Sequence, residues 1–327
     1  MNKRERLEHT LAGDATDRIP AALWRHFPGD DQRASDFAAA VVTFQNMYDW
    51  DFVNVTPANT FAVVDYGVQD AWIGAIDGTR SLSKAAIERS LDWTALRPLD
   101  PTRGALGRQL DALRSICDAL GDEVPIVQTI LSPLSQGALI AGHDRLIAHM
   151  RTQPDRLRTG LNALTETTLR FIDALKRLPI AGIFYNVSYA DHALISEAEY
   201  IQSGLPDDQR ILSTLTAKWW LNMVHLTGLS PMLNTIDGLS AHVLNWRDQE
   251  SEYGLAMGKT LFGGAVCGGL TRDSHLHNGT PSTIRQAARE AIAAANGRRL
   301  ILGAGGAALI TTPQSNLRAV RQAVESL

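Results

Sequence analysis

The residues with chemical capability in this 327-residue chain fall at the ends of short apolar runs. Arg25 and His26 follow Ile19–Trp24, and Tyr185 and Asn186 close the run Ala181–Val187. His225 lies near the end of Asn222–Leu226, Asn245 and Trp246 close Ala241–Trp246, and Arg247 follows. Arginine supplies a fixed positive charge and a two-pronged contact for a carboxylate. Histidine is the side chain able to exchange a proton near neutral pH. The spacing therefore predicts a site in which His225, His26 and Arg25 act on an acidic small molecule. Tyr185, Asn186, Asn245, Trp246 and Arg247 would hold that molecule. Other chemistries lack their patterns. The chain has no G-x-S-x-G nucleophile elbow, no H-E-x-x-H zinc helix, no Walker A sequence and no early G-x-G-x-x-G. His275-x-His277 is a two-ligand pattern, too few for a metal on its own.

Elements that would bring these residues together are legible in the apolar periodicity. Further runs occur at Phe52–Thr56, Val124–Ile130, Thr260–Val266 and Leu300–Ala304, giving eight in all. Their apolar residues are consecutive rather than alternating, as in parallel strands buried on both faces. Between them lie helical stretches. Pro281–Asn296 opens on Thr280 and Pro281 and stops at Gly297; Thr312–Leu327 starts on Thr312–Pro313; residues 144–178 read as two helices broken near Thr152–Pro154. Eight such units predict one (β/α)8 TIM barrel spanning residues 1–327. Catalytic groups sit at the C-terminal ends of such strands. Residues 65–122 carry scattered Gly and Pro and read as an irregular excursion able to cover the mouth.

Hydrophobic residues make up 45% of the chain and the net charge is −4, which argues against a disordered chain and against a nucleic-acid partner. The N-terminal segment is charged and no apolar run is long enough to span a bilayer, so the expectation is a cytoplasmic protein with no membrane partner.

The order of the pieces resembles the uroporphyrinogen decarboxylase superfamily, which includes the heme-pathway decarboxylase and the zinc-dependent corrinoid methyltransferases. The resemblance rests on the opening KRERLEHTLAG-D-x-x-DRIP from Lys3 to Pro20, on HLTG at His225–Gly228, and on ILGAGGA and TPQSNLRAV between Ile301 and Val320. It implies the barrel and a homodimer. Against the decarboxylase pattern R-Q-A-G-R-Y this chain reads WRHFPGD, where Arg25 stands in for a carboxylate-holding arginine, and Ala304 occupies the position of the decarboxylase histidine in L-G-H-G. Against the methyltransferase zinc pattern, His225 is kept, while Thr227 and Gly306 stand where the two cysteines fall. The resulting expectation is a decarboxylase-type carbon–carbon lyase with no metal and no cofactor. The alternatives are a corrinoid- or thiol-dependent methyltransferase with a rearranged site, and a binding protein without catalysis.

Overall fold

The computed structural model describes residues 1–236 and 239–325. Its main sheet has seven parallel strands in the spatial order β1-β4-β5-β6-β7-β8-β9. These are β1 (Val53–Val55), β4 (Ile126–Leu131), β5 (Gly182–Val187), β6 (Met223–Leu226), β7 (Val243–Asn245), β8 (Ala265–Leu270) and β9 (Leu300–Ala304). A separate antiparallel hairpin is formed by β2 (Gln69–Ala71) and β3 (Ser81–Lys84). The helices are α1 (Lys3–Ala12), α2 (Ala34–Tyr48), α3 (Gly104–Leu120), α4 (Pro133–Ala141), α5 (His143–Thr152) and α6 (Pro154–Leu175). They continue with α7 (Glu197–Ser203), α8 (Leu205–Leu212), α9 (Leu255–Leu261), α10 (Pro281–Ala294) and α11 (Gln314–Ala323). Among the described residues, no helix is long and apolar enough to cross a membrane.

Every residue of β4, β6, β8 and β9 is buried, which is why these strands read as unbroken apolar runs. The sheet is strongly curled. The Trp24 ring reaches Phe184 of β5 at 5.0 Å between centroids, a contact between segments that are not neighbours along a flat sheet. The run at 19–24 is not a regular strand. Ala21 makes one parallel bridge to Leu302, with Leu302 N donating to Pro20 O at 2.8 Å and Ala22 N to Leu302 O at 3.0 Å. On its other side Asp51 N donates to Ala21 O at 3.0 Å.

The opening motif works on this join. The Asp51 carboxylate, fully buried just before β1, accepts from Arg6 Nη1 at 2.7 Å, from Arg18 at 2.7 and 2.9 Å, and from Ala21 N at 2.8 Å. Arg6 also pairs with Asp17 at 2.7 Å, which holds the Asp17 carboxyl far below its ordinary range. A buried carboxylate is tolerable only with such a full set of donors, so these charges lock α1 and the following segment against the start of the sheet.

Two boundaries differ from the sequence expectation. Thr260–Phe262 belong to the end of α9 and the loop after it, so the strand starts at Ala265 and Cys267 lies inside it. A short apolar helix end running into Gly263 and Gly264 gives the same local signal as a strand. Within 65–122 the last third is helix α3, an amphipathic element packed on α2; the irregular part is 65–103 and contains the hairpin. The expected break near Thr152–Pro154 falls at Gln153. The C-terminal helix was expected to reach Leu327, and its last two positions lie outside the described residues.

The hairpin tip leans on the C-terminal ends of the sheet. Ile310 N donates to Ile76 O at 2.8 Å. Gly78, at φ +79°, lies so close that a Cβ there would sit 2.6 Å from His26 Cβ and 2.9 Å from Ile310 Cγ2, so this approach requires glycine.

Candidate functional site

Parallel register decides which strand-end residues share a face. Leu131 pairs with Asn186, Asn186 with His225, His225 with Asn245, and Asn245 with Cys267. Register partners in a sheet send their side chains to the same side. Asn186, His225 and Asn245 thus leave three adjacent strands on one face. It is the inner face: the His225 ring stacks on Phe184 at 5.3 Å, and Phe184 in turn meets Trp24 across the curl.

The polar groups here are incompletely satisfied. Asn245 is fully buried; its Nδ2 donates to Cys267 O at 2.7 Å and Ala304 O at 3.0 Å, while its Oδ1 has no protein partner. His225 Nδ1 is likewise buried without a partner. Burial is the main force on this imidazole and lowers its pKa to about 4; the side chain and backbone of Asn245 oppose the shift, and the Arg247 charge adds to it. His225 is therefore held in its neutral form at neutral pH. Above it, Thr227 Oγ1 donates to Asn186 Oδ1 at 2.7 Å, and Ser188 N donates to Ser135 Oγ at 2.9 Å. Arg247 stands at the rim with Glu250 at 3.7 Å, and Gly305 fits directly against the Arg247 backbone.

The other expected residues lie elsewhere. Tyr185 has the opposite parity to Asn186 and points outward, where its hydroxyl donates to the buried Asp208 of α8 at 2.6 Å. Trp246 also points outward; its ring fills the space left by Gly258 of α9, where a Cβ would come within 2.1 Å, and its Nε1 donates to Tyr253 O at 2.7 Å. Arg25 follows the inward Trp24 and so faces away, toward α2 and α11, with Nη1 donating to Ile310 O at 3.1 Å. His26 sits beneath the hairpin with its Nδ1 3.0 Å from Pro57 O, and burial lowers its pKa. Asn54 of β1 was missed. It shares the inner face, accepts from Thr129 Oγ1 at 2.9 Å, and has a buried Nδ2 with no partner. The signal was there: an asparagine inside the apolar run Phe52–Thr56.

The family model for uroporphyrinogen decarboxylase (URO-D) matches residues 70–327. The chain belongs to the uroporphyrinogen decarboxylase family. The methylcobamide:CoM methyltransferase MtbA of Methanosarcina mazei is 22% identical over 96% of this chain and 95% of its own length. The protein of the same name from Methanosarcina acetivorans is 21% identical over the same shares. A solved methyltransferase structure from Methanosarcina mazei superposes with a TM-score of 0.87 at 19% identity, covering 100% of this chain and 99% of that one. Both sequence relatives are named as transferases. That overturns the expectation of a carbon–carbon lyase, and with it decarboxylation and a role in porphyrin metabolism.

The zinc that the superfamily's corrinoid methyltransferases use does not fit the residues present. His225 offers one unpartnered nitrogen, but the Thr227 hydroxyl is spent on Asn186 and Gly306 has no side chain. Cys267, one register position away on the same face, is a fully buried thiol whose pKa is driven far up by burial and by Asp248, so it stays protonated. His275 Nδ1 accepts from Thr271 N at 3.1 Å. Among the described residues, no group of three or more His, Cys, Asp or Glu side chains is arranged to hold a metal ion. Zinc held by thiolates needs a donor set this chain lacks.

Proposed function

We propose that the chain is a methyltransferase that moves a methyl group between a corrinoid and a small acceptor, at the mouth of an eight-stranded barrel formed as one domain. The observation that carries this reading is the end-to-end likeness to the methylcobamide:CoM methyltransferases, which spans 96% of this chain and 95% of theirs. In this reading the 19–24 segment closes the sheet between β9 and β1, supported by its hydrogen bonds to Leu302 and Asp51.

The balance of the reaction limits what the side chains do. A methylcorrinoid, when bound, would supply the methyl group to the acceptor's lone pair and keep the electron pair of the bond it gives up. Any proton on the acceptor leaves to solvent. A histidine with a pKa near 4 is a poor base for that proton. His225 instead orients the acceptor through its free Nδ1, beside the free Asn245 Oδ1. Asn186 and Thr227 form the adjoining polar wall, and Arg247 at the rim draws in an acidic acceptor. The same proposal includes a cytoplasmic homodimer, on the strength of the family resemblance; sedimentation of the purified chain tests the dimer.

The decisive assay follows loss of the methylcobalamin absorbance anaerobically with a panel of thiols and carboxylated thiols, with a parallel uroporphyrinogen assay. Turnover that falls at least tenfold in His225→Gln supports the reading. No demethylation by the folded protein with any acceptor overturns it, and binding of methylcobalamin without turnover assigns the chain as a barrel that kept its pocket and lost its chemistry.

A further inference from the structure

HLTG ends on a glycine whose conformation has a specific cause. Gly228 adopts φ +116°, and a Cβ there would lie 1.6 Å from Asp191 Oδ2, so the Asp191 carboxylate occupies the space of a side chain at 228. Asp191 belongs to the segment that follows β5 and Gly228 to the one that follows β6. The carboxylate ties the two together: Oδ1 accepts from Ala193 N at 2.7 Å and Oδ2 from Ser230 N at 3.2 Å. Backbone pairing flanks this contact, with His192 N donating to Ser230 O and Met232 N to Ala190 O, both at 2.9 Å.

Asp191 is a destabilising choice for fastening two loops. It is 1% exposed, and among the described residues no cation pairs with it. Asp51, at the opposite ends of the strands, has two arginines. A buried carboxylate held by amides alone costs stability that an apolar side chain would not. Local rules are broken in this way where the position of the held group matters for function.

The held group is the turn at Thr227. Its N donates to Val187 O at 3.1 Å, and its hydroxyl donates to Asn186 Oδ1 at 2.7 Å. Ser188 Oγ approaches the same oxygen at 3.5 Å. With Oδ1 engaged from this side, the amide leaves Nδ2 over. Among the described residues Nδ2 makes no hydrogen bond, and Asn186 is only half-buried, on the inner face beside His225.

We propose that Asp191 is a positioning residue of this site: by filling the side-chain space of Gly228 and holding Ser230 N it fixes the Thr227 turn, and through Thr227 Oγ1 it sets the Asn186 amide that orients the acceptor. The chemistry of this role rests on the methyl-transfer reading; its geometry stands without it.

The test is a double-mutant cycle of Asp191→Asn and Thr227→Val in the full chain, with methylcobalamin and the fastest thiol of the panel. Asp191→Asn keeps the shape but turns an N–H toward Ser230 N. It should lower kcat at least tenfold and leave the KM for methylcobalamin within about threefold, because orientation is lost rather than affinity. In the Thr227→Val background the same change should have almost no further effect on kcat, while its cost in urea midpoint persists. Gly258→Ala, with a lowered midpoint and full turnover, controls for stability loss alone. If Asp191→Asn does not fold, Asp191→Ser replaces it: its hydroxyl still serves Ala193 N in the local turn and is too short to reach Ser230 N. Additive losses in the cycle, or full turnover in the Asp191 variant, overturn the proposal. A crystal structure of the variant reads the geometry without turnover: Thr227 Oγ1 parted from Asn186 Oδ1 supports the role, and an unmoved pair overturns it. A wild type with no turnover sinks the methyl-transfer reading instead, and the crystal structure then decides the geometry.

Discussion

Replacing Tyr185 by phenylalanine should cost stability in a pH-dependent way and leave methyl transfer untouched. Asp208 is fully buried and receives two hydroxyl donors, Tyr185 at 2.6 Å and Tyr200 at 2.7 Å. Burial is the largest influence on it and raises its pKa to about 7; the two hydroxyls pull the value down, and the neighbouring Asp207 charge pushes it up. In the unfolded chain the same carboxyl titrates at about 3.8. A carboxyl whose pKa is higher in the folded state stabilises the fold while it stays protonated there. This contribution is complete below about pH 4 and is lost as pH rises through about 7. The difference of roughly three pKa units corresponds to about 4 kcal/mol at most.

Tyr185→Phe removes one of the two groups that make the ionised form bearable. Above pH 7 the loss is that of a hydrogen bond to a buried charge, about 2–3 kcal/mol; near pH 5.5 the carboxyl is protonated and the loss is about 1 kcal/mol. Urea unfolding of wild type and Tyr185→Phe at pH 5.5 and 8.5 measures the difference, and Tyr200→Phe should follow the same pattern. An equal cost at both pH values would refute the coupling to Asp208. A variant that loses methyl transfer while keeping its stability at both pH values would place Tyr185 in the site after all.

Three further outcomes follow from the geometry. Gly258→Ala drives a Cβ into the Trp246 ring and should destabilise by about 1–3 kcal/mol, read as a lowered urea midpoint, with turnover per folded molecule unchanged. Because the His225 pKa of about 4 lies below its ordinary value of 6.5, this residue's contribution to stability is present above pH 6.5 and lost as pH falls toward 4. His225→Gln should therefore gain about 2 kcal/mol on wild type between pH 7 and pH 5 in paired urea titrations. Elemental analysis of the purified chain should find zinc far below one per molecule, and a chelator should not move the melting temperature; near-stoichiometric zinc lost in His225→Gln would defeat the donor-set argument.

Where the sequence misplaced residues, parity was the reason. Strand ends are visible as the places where apolar runs stop, but successive side chains alternate between faces. Tyr185 and Asn186 both end one run, and Asn245 and Trp246 both end another, yet only Asn186 and Asn245 face inward. Nothing in a fully buried run says which parity is inner, because both faces are apolar; register with His225 and the Phe184–Trp24 contact settle it. Arg25 fails on the same ground, being one residue past the inward Trp24. The curled parallel sheet was readable because burial on both faces is a property of composition, which survives without knowing any contact.

The reaction was misread for a different reason. The motifs that carry the resemblance are spent on assembly. Arg6 and Arg18 of the opening serve Asp51 while Asp17 holds Arg6, and Asn316 of TPQSNLRAV donates from α11 to Leu276 O and Gly279 O, both at 2.9 Å. Such residues identify how the chain folds and are silent on what it transforms. The positions that would name the chemistry hold Thr227, Ala304 and Gly306, side chains with no acid, base or thiolate to offer. With those signatures gone, Arg25 alone suggested a carboxylate substrate and a decarboxylase, although its guanidinium lies on the outer side of the curled sheet, over Phe27 and Phe44. What remains on the inner face is a set of neutral, directional groups: His225 held unprotonated, Asn245 and Asn54 each with one unused amide atom, Asn186 tied to Thr227. A group transfer between two bound partners needs orientation more than it needs a proton carrier, and orientation is what such groups provide.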